Sequence, residues 1–236
     1  MSRLIVASNR VTDIDKAVQS GGLAVALEDA LQRGRGLWFG WDGTTVDEDA
    51  SLGIKLQQHN GIRTATIPLT RRDYEEYYLG FSNRALWPTF HYRLDLAHFE
   101  HAFLEGYRRV NQRLAQSLAA LIEPDDLIWV HDYHLIPLAE ELRQQGVKER
   151  IGFFLHIPFP SPDFFSAIPD HAWLAEVMFA YDVAGFQTTS DAANFIRYVV
   201  ENAGGEALGD GRVRAYGKTI IARAFPIGID PDSVFE

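Results

Sequence analysis

Four stretches place charged, aromatic or imidazole side chains directly after a run of β-forming residues: Asn9-Arg10, Trp41-Asp42-Gly43, His131-Asp132-Tyr133-His134 and His156-Ile157-Pro158-Phe159-Pro160. In an open α/β sheet, ligands bind in the crevice beyond the carboxyl ends of the strands, because the loops there are free to carry function. Chemistry is therefore expected at these four positions. Arg10 closes the first run, and Gly21-Gly22-Leu23 opens the helix after the next loop. A guanidinium fork and a row of free helix-start amides could face one anion, with phosphate the natural candidate. The same residues also suit a plainer arrangement, in which Arg10 pairs with a surface acid and Gly21-Gly22 is a simple turn. Position alone favours neither. No Walker A sequence and no G-x-G-x-x-G is present to add weight to the glycines.

His131, Asp132 and His134 have the composition of a metal site but not its spacing. They are not at the i, i+4 separation of H-E-x-x-H, and no further ligand set is evident in a chain without Cys. No metal is expected. Asp132 is better suited to accept hydrogen bonds from hydroxyls at the crevice mouth, with at least one neighbouring His in a supporting structural role. His156 either positions a reacting group or caps a buried strand; Pro158 and Pro160 stiffen the loop that follows it. Between Tyr74 and Tyr92 lie seven aromatic residues, Tyr74, Tyr77, Tyr78, Phe81, Trp87, Phe90 and Tyr92, interleaved with Ser82, Asn83, Arg84 and His91. Rings with polar edges can offer a flat face to a sugar and a donor to its oxygens. One or two are expected to touch ligand and the others to pack a loop.

Such groups need a scaffold. A chain of 236 residues with 47% hydrophobic and 12% aromatic content can bury a full core, as one large domain or two small ones. The absence of Cys excludes a disulfide framework, a thiol nucleophile and a thiolate-ligated metal, and points to an intracellular protein. A net charge of −10 disfavours nucleic acid and anionic lipid as partners, so a phosphorylated ligand needs local positive groups set against the global field. Leu4 to Ala7 is too short for a signal-peptide core, and no run approaches the ~18 apolar residues of a membrane span.

Short β-rich runs alternate with longer helical ones, which predicts a doubly wound, mostly parallel α/β sheet covered by helices. Strands are expected at Leu4–Ser8, Leu37–Trp41, Thr64–Leu69, Leu127–Val130, Ile151–Leu155 and Val183–Phe186. Helices are expected at Gly22–Leu31, near Arg71–Tyr78, and at Leu135–Gln145, Ala172–Ala180 and Ser190–Asn202. The strongest periodicity runs from Asp95 to Ile122, where Leu96, Phe99, Phe103, Tyr107, Val110, Leu114, Leu118 and Leu121 recur every three or four residues and predict one long helix. Ala203–Arg212 is Gly-rich and polar, hence a loop. The last forty or so residues suggest a strand pair ending near Phe225-Pro226-Ile227-Gly228-Ile229, and Asp230–Glu236 resembles the start of another helix.

Together these residues resemble a family. Ser8-Asn9-Arg10, Gly21-Gly22-Leu23, Trp38-Phe39-Gly40-Trp41, Glu76-Tyr77-Tyr78, the run Leu86 to Tyr92, the run Trp129 to Leu135, Gly152 to Pro160 and Asp182 to Thr188 are similar, in order and spacing, to trehalose-6-phosphate synthases. The match spans nearly the whole chain. The resemblance implies the glycosyltransferase-B arrangement of two Rossmann-like domains across a cleft, with residues 1–236 forming the N-terminal, acceptor-binding one and the C-terminal nucleotide-sugar-binding domain absent. It implies a cytoplasmic enzyme that transfers glucose, with retention, from a nucleotide sugar such as UDP-glucose to glucose 6-phosphate. No cofactor is implied, since the nucleotide sugar is a substrate, and no metal or covalent intermediate. Carried over residue by residue, it implies that Arg10 and Tyr78 contact the acceptor phosphate and that Trp87 and Asp132 contact the acceptor sugar. Gly22 would approach the donor phosphates, Trp41 would line the cleft and His156 would contact the transferring glucose. Asp132 and His156 are thus the catalytic candidates. Donor-side groups have no counterpart here, so the chain alone is expected to lack transferase activity. A homo-oligomer is compatible with the sequence. Rival expectations are a relative using another sugar- or polyol-phosphate acceptor, a non-catalytic sugar-phosphate sensor, and a metal-dependent hydrolase built on His131, Asp132 and His134.

Overall fold

The computed structural model describes residues 3–11, 31, 36–59 and 62–227. Within them lies one ten-stranded sheet of order β3-β4-β2-β1-β5-β6-β7-β10-β9-β8. Its strands are β1 (Leu4–Arg10), β2 (Leu37–Val46), β3 (Lys55–His59), β4 (Ile62–Thr70), β5 (Leu127–His131), β6 (Arg150–Phe154), β7 (Val183–Phe186), β8 (Glu206–Gly209), β9 (Arg212–Ala215) and β10 (Lys218–Ala224). The central pairs are parallel, and only β3, β8 and β9 pair antiparallel, at the two edges. Ile5, Val6 and Ala7 are all fully buried, as expected of a central strand covered on both faces, which carries a continuous apolar run rather than an alternation.

The chain leaves β1 toward β2 and β4 on one side, while β5, β6 and β7 extend the sheet on the other. The order reverses between β1 and β5, and a topological switch point of this kind opens the crevice in which α/β sheets bind ligands. Four α-helices accompany the sheet, α1 (His101–Ala119), α2 (Leu138–Gln144), α3 (His171–Met178) and α4 (Thr189–Asn202); α4 packs on β7 and β10, and α2 packs between α1 and α3. Helix α4 starts with a reciprocal capping box, in which Thr188 Oγ1 accepts from the Asp191 backbone N–H and Asp191 accepts from that of Thr188.

Several elements differ from expectation. The predicted helix over 95–122 starts only at His101 and ends at Ala119, preceded by a 3₁₀ turn at Leu94–Leu96. The backbone N–H of His98 donates to the Arg84 carbonyl at 2.8 Å, tying this stretch to the preceding element instead of to the next helical turn. Leu96 is consequently exposed. The helix expected to begin at Leu135 starts at Leu138, behind a 3₁₀ turn at Tyr133–Leu135. Strand β3 carried too little apolar pattern to be found, and the stretch expected to be a loop at 203–212 contains β8, so the last described elements are three strands. The expected helix at Gly22–Leu31 and the ends at Gly228–Ile229 and Asp230–Glu236 lie outside the described residues, save Leu31, which is helical and buried.

The helix expected near Arg71–Tyr78 is present, but it runs on through the aromatic segment that was expected to pack as a loop. One turn at Arg71–Asp73, capped by Thr70 Oγ1 accepting from the Asp73 N–H at 3.1 Å, runs into a wide i→i+5 helix, Tyr74–Leu86, and then a turn at Trp87–Phe90. Long π-helices are rare and concentrate at functional sites. Its packing against α1 is intimate: a Cβ on Gly106 would lie 2.3 Å from that of Glu76, and one on Gly80 would lie 2.5 Å from the Phe103 ring. An ion-pair cluster locks the same contact. Buried Asp73 accepts from Arg109 at 2.6 Å and Arg113 at 2.5 Å, while Arg109 also reaches Glu76 at 2.8 Å.

Candidate functional site

The π-helix brings its aromatics to the carboxyl edge of the sheet. Tyr77 is fully buried, and its hydroxyl donates to Asn9 Oδ1 at 2.8 Å, pinning the helix to the end of β1. Tyr74 and Tyr78 stack at 5.4 Å, and both lean on Trp41, at 5.7 and 5.5 Å. Tyr78 stacks in turn on His134 at 5.8 Å. Arg10 is exposed and lies over the Trp41 ring, its guanidinium carbon 5.8 Å from the centroid. The same guanidinium passes over Gly43, where a Cβ would come within 2.8 Å of it at a φ of +86° that glycine adopts readily. Arg10, Trp41 and Tyr78 thus form one continuous cationic and aromatic surface.

Trp41-Asp42-Gly43 does not follow a strand, as expected, but lies inside β2, where the pairing with β4 shifts register between Trp41 and Thr45. Asp42 Oδ1 accepts from the Thr44 N–H and hydroxyl, and Trp41 Nε1 donates to the Thr44 carbonyl at 2.6 Å. Asp42 is thereby spent on shaping the bulge. Such irregularities re-aim a side chain near the rim of a sheet.

Across the switch point, Asp132 follows β5 at φ 75°, ψ 166°, a conformation that costs a non-glycine residue on the order of 1–3 kcal/mol. Its carboxyl is half-buried, and burial pushes its pKa up to about 6, against the opposing pull of the Tyr133 and His156 backbone amides and nearby His91. Oδ1 accepts the His156 backbone N–H at 3.2 Å. His156 is half-buried after β6, and burial lowers its pKa to about 4, so it is neutral at ordinary pH. Trp87 is exposed and packs tilted against His91 at 4.1 Å, on the same side as Asp132, which His91 is close enough to influence. Gly22 lies outside the described residues.

The remaining histidines divide. His134 is buried against Tyr78 and Tyr133, and His131, 1% exposed, bonds to His156; burial lowers both to about 3. Among the described residues, no group of three or more His, Cys, Asp or Glu is arranged to hold a metal ion. Three groups that the sequence singled out without a role find partners here: Asn9 accepts from Tyr77, Asn83 accepts from the Tyr133 hydroxyl at 2.9 Å, and the Tyr92 hydroxyl accepts from the Ser161 N–H at 3.0 Å. Their sequence neighbours gave no hint of partners so far along the chain. Of the seven aromatics, Tyr77, Phe81 and Phe90 are core.

A cavity of about 840 Å³ lies at the opposite edge, at the amino ends of the strands, lined by Arg3, Glu123, Asp126, Lys148 and Arg150. Its Arg3 is already matched by Asp126 and Glu123.

Fold and crevice together define a mostly parallel α/β domain of the Rossmann type, with an anion-ready, aromatic-walled binding face. The chain belongs to glycosyltransferase family 20, whose sequence profile matches residues 2–236. It is 51% identical over 235 residues to the trehalose-6-phosphate synthase of Klebsiella pneumoniae, covering 99% of this chain and 49% of that protein. The crystal structure of a UDP-forming alpha,alpha-trehalose-phosphate synthase from Burkholderia vietnamiensis matches with TM-score 0.95 and 51% identity, over 99% of this chain and 50% of that one. A Burkholderia xenovorans counterpart in complex with glucose-6-phosphate gives 0.91 and 47%, over 99% and 51%. The chain spans about half the length of these relatives. Among the described residues no helix is long and apolar enough to cross a membrane.

Proposed function

We propose that this chain supplies the acceptor side of a cytoplasmic glucosyltransferase that joins glucose from UDP-glucose to glucose 6-phosphate, giving trehalose 6-phosphate with retention. The observation that carries the proposal is the convergence of Arg10, Trp41 and Tyr78 on one flank of the switch point with Asp132 and His156 on the other. A phosphate is matched by the Arg10 fork and the Tyr78 hydroxyl. The attached sugar extends toward Trp87 and Asp132, whose carboxylate accepts its hydroxyls. The neutral His156 imidazole hydrogen-bonds the glucose being transferred.

Transfer then proceeds by a front-face displacement. The acceptor hydroxyl oxygen bonds to the anomeric carbon as the bond to the diphosphate oxygen breaks on the same face, and the hydroxyl proton passes to the departing phosphate. This domain contributes alignment, whose effect on rate comes from holding reactants in a productive geometry. Stabilisation of the leaving diphosphate requires donor-side groups from a second domain, Gly22 being the contact from this side. No cofactor or metal enters the scheme.

Calorimetry with glucose 6-phosphate, alongside an assay for UDP release with both substrates, tests the proposal. Weak binding and no turnover are expected of the isolated chain. Ordinary turnover would overturn the division of labour; binding of other sugar or polyol phosphates in preference to glucose 6-phosphate would overturn the acceptor assignment.

A further inference from the structure

His131 and His156 share a hydrogen bond whose direction sets what His156 can offer a ligand. His131 Nδ1 lies 2.8 Å from His156 Nε2, with the two rings stacked at 5.1 Å and 21°. His131 is wedged further by Trp129 at 4.3 Å, and Phe154 flanks His156 at 4.8 Å. Burial keeps both imidazoles neutral at ordinary pH, so each ring carries one N–H and only one of them lies between the rings.

Two arrangements satisfy this bond. If His156 donates, His131 must carry its own proton on Nε2, which is buried and has no hydrogen-bond partner among the described residues. If His131 donates from Nδ1, that Nε2 is a bare lone pair. Unpartnered buried N–H donors are rarer than under-satisfied buried acceptors, and a buried polar group left unpaired costs about 1–3 kcal/mol. The tautomer of a histidine is fixed by the bond its other nitrogen makes.

We infer that His131 is a positioning residue: it donates from Nδ1 to His156 Nε2, holds the ring in place and forces His156 into the Nδ1–H tautomer. Nδ1, which has no partner among the described residues, then presents a hydrogen-bond donor to a sugar oxygen. That the oxygen belongs to the transferring glucose rests on the proposed function; the tautomer does not.

Two-bond ¹H–¹⁵N correlation spectra of the ¹⁵N-histidine-labelled chain at neutral pH, without substrate, read the tautomer directly, with His156→Gln used to assign the signals. The expected pattern for His156 is a protonated Nδ1 and a bare Nε2. A protonated Nε2, or an even mixture, would overturn the inference. His131→Asn keeps an N–H donor near the position of Nδ1 and is expected to preserve that pattern, whereas His131→Phe keeps the packing and is expected to shift His156 toward the Nε2–H form. Retention of the wild-type pattern in His131→Phe would equally overturn it. Should the Phe variant not fold, the wild-type and Asn spectra decide. Failure of glucosyl transfer would leave these spectra unchanged, so the two proposals fail separately.

Discussion

The backbone N–H of His156 donates to Asp132 Oδ1 at 3.2 Å, so the two catalytic candidates are joined through the main chain and not through the imidazole. One carboxylate oxygen is thereby used to fix the start of the loop after β6. The positive φ of Asp132 aims the carboxyl this way.

The strain at Asp132 predicts an inverted preference. Ordinarily Ala is more stabilising than Gly by about 0.4–1 kcal/mol. At 132, Gly should be the more stable by about 1–2 kcal/mol, since only Gly occupies that region of backbone space without strain. Urea denaturation of Asp132→Ala and Asp132→Gly measures the difference; Ala equal to or above Gly would contradict it.

Raised to about 6, the Asp132 carboxyl also makes acceptor binding sensitive to pH. Binding that uses the carboxylate should weaken as pH falls through that value. Glucose 6-phosphate itself titrates near pH 6, so Asp132→Asn serves as the reference: its residual pH dependence is the ligand's, and the wild type should show a steeper loss. The stability sign is the reverse of a paired acid's. A raised carboxyl is costly when ionised, so its contribution to stability is lost as pH climbs from about 4 to 6.

Arg10→Ala should weaken glucose 6-phosphate binding about tenfold or more, the size of a charged hydrogen bond of roughly 1.5–3 kcal/mol. Its exposure leaves the fold intact. Equal heats and affinities for the two proteins in calorimetry would remove Arg10 from the site.

Asp73→Asn should cost about 3–5 kcal/mol, because it leaves Arg113 beside a buried site without its counter-charge and Arg109 with Glu76 alone. Burial acts to raise Asp73, but the two guanidiniums outweigh it and hold the carboxyl below its ordinary value. The stability it contributes is therefore present above about pH 4 and lost as pH falls through the lower folded value. Thermal melts between neutral and acid pH should converge for wild type and variant; a constant gap would contradict the assignment.

Gly106→Ala places a methyl 2.3 Å from Glu76 Cβ and should separate α1 from the π-helix. A loss of about 1–3 kcal/mol is expected, with glucose 6-phosphate binding weakened in step, because Tyr78 rides on the displaced helix. Unchanged stability would show that the helices can part without strain.

By itself the sequence determined the parallel α/β class, five of the ten strands to within a residue or two, and the clustering of polar groups at strand ends. These are local signals: apolar runs of strand length, and polar residues that break them. The family motifs determined which groups to watch: Arg10, Trp41 and Tyr78 lie together, Asp132 meets the His156 backbone, and Gly22 lies outside the described residues. Only the tertiary structure decided how. That Tyr74–Leu86 is a π-helix depends on its fit against Gly106 and on Asp73 meeting two arginines from thirty-six and forty residues away. Trp41 lies inside a bulged strand because β4 pairs past it out of register. The partnership of His131 with His156 joins two strand ends 25 residues apart, and no periodicity along the chain encodes which imidazole faces which. Long-range pairings of this kind arise when packing brings distant segments together, which is why residue type announced the chemistry while its geometry required the fold.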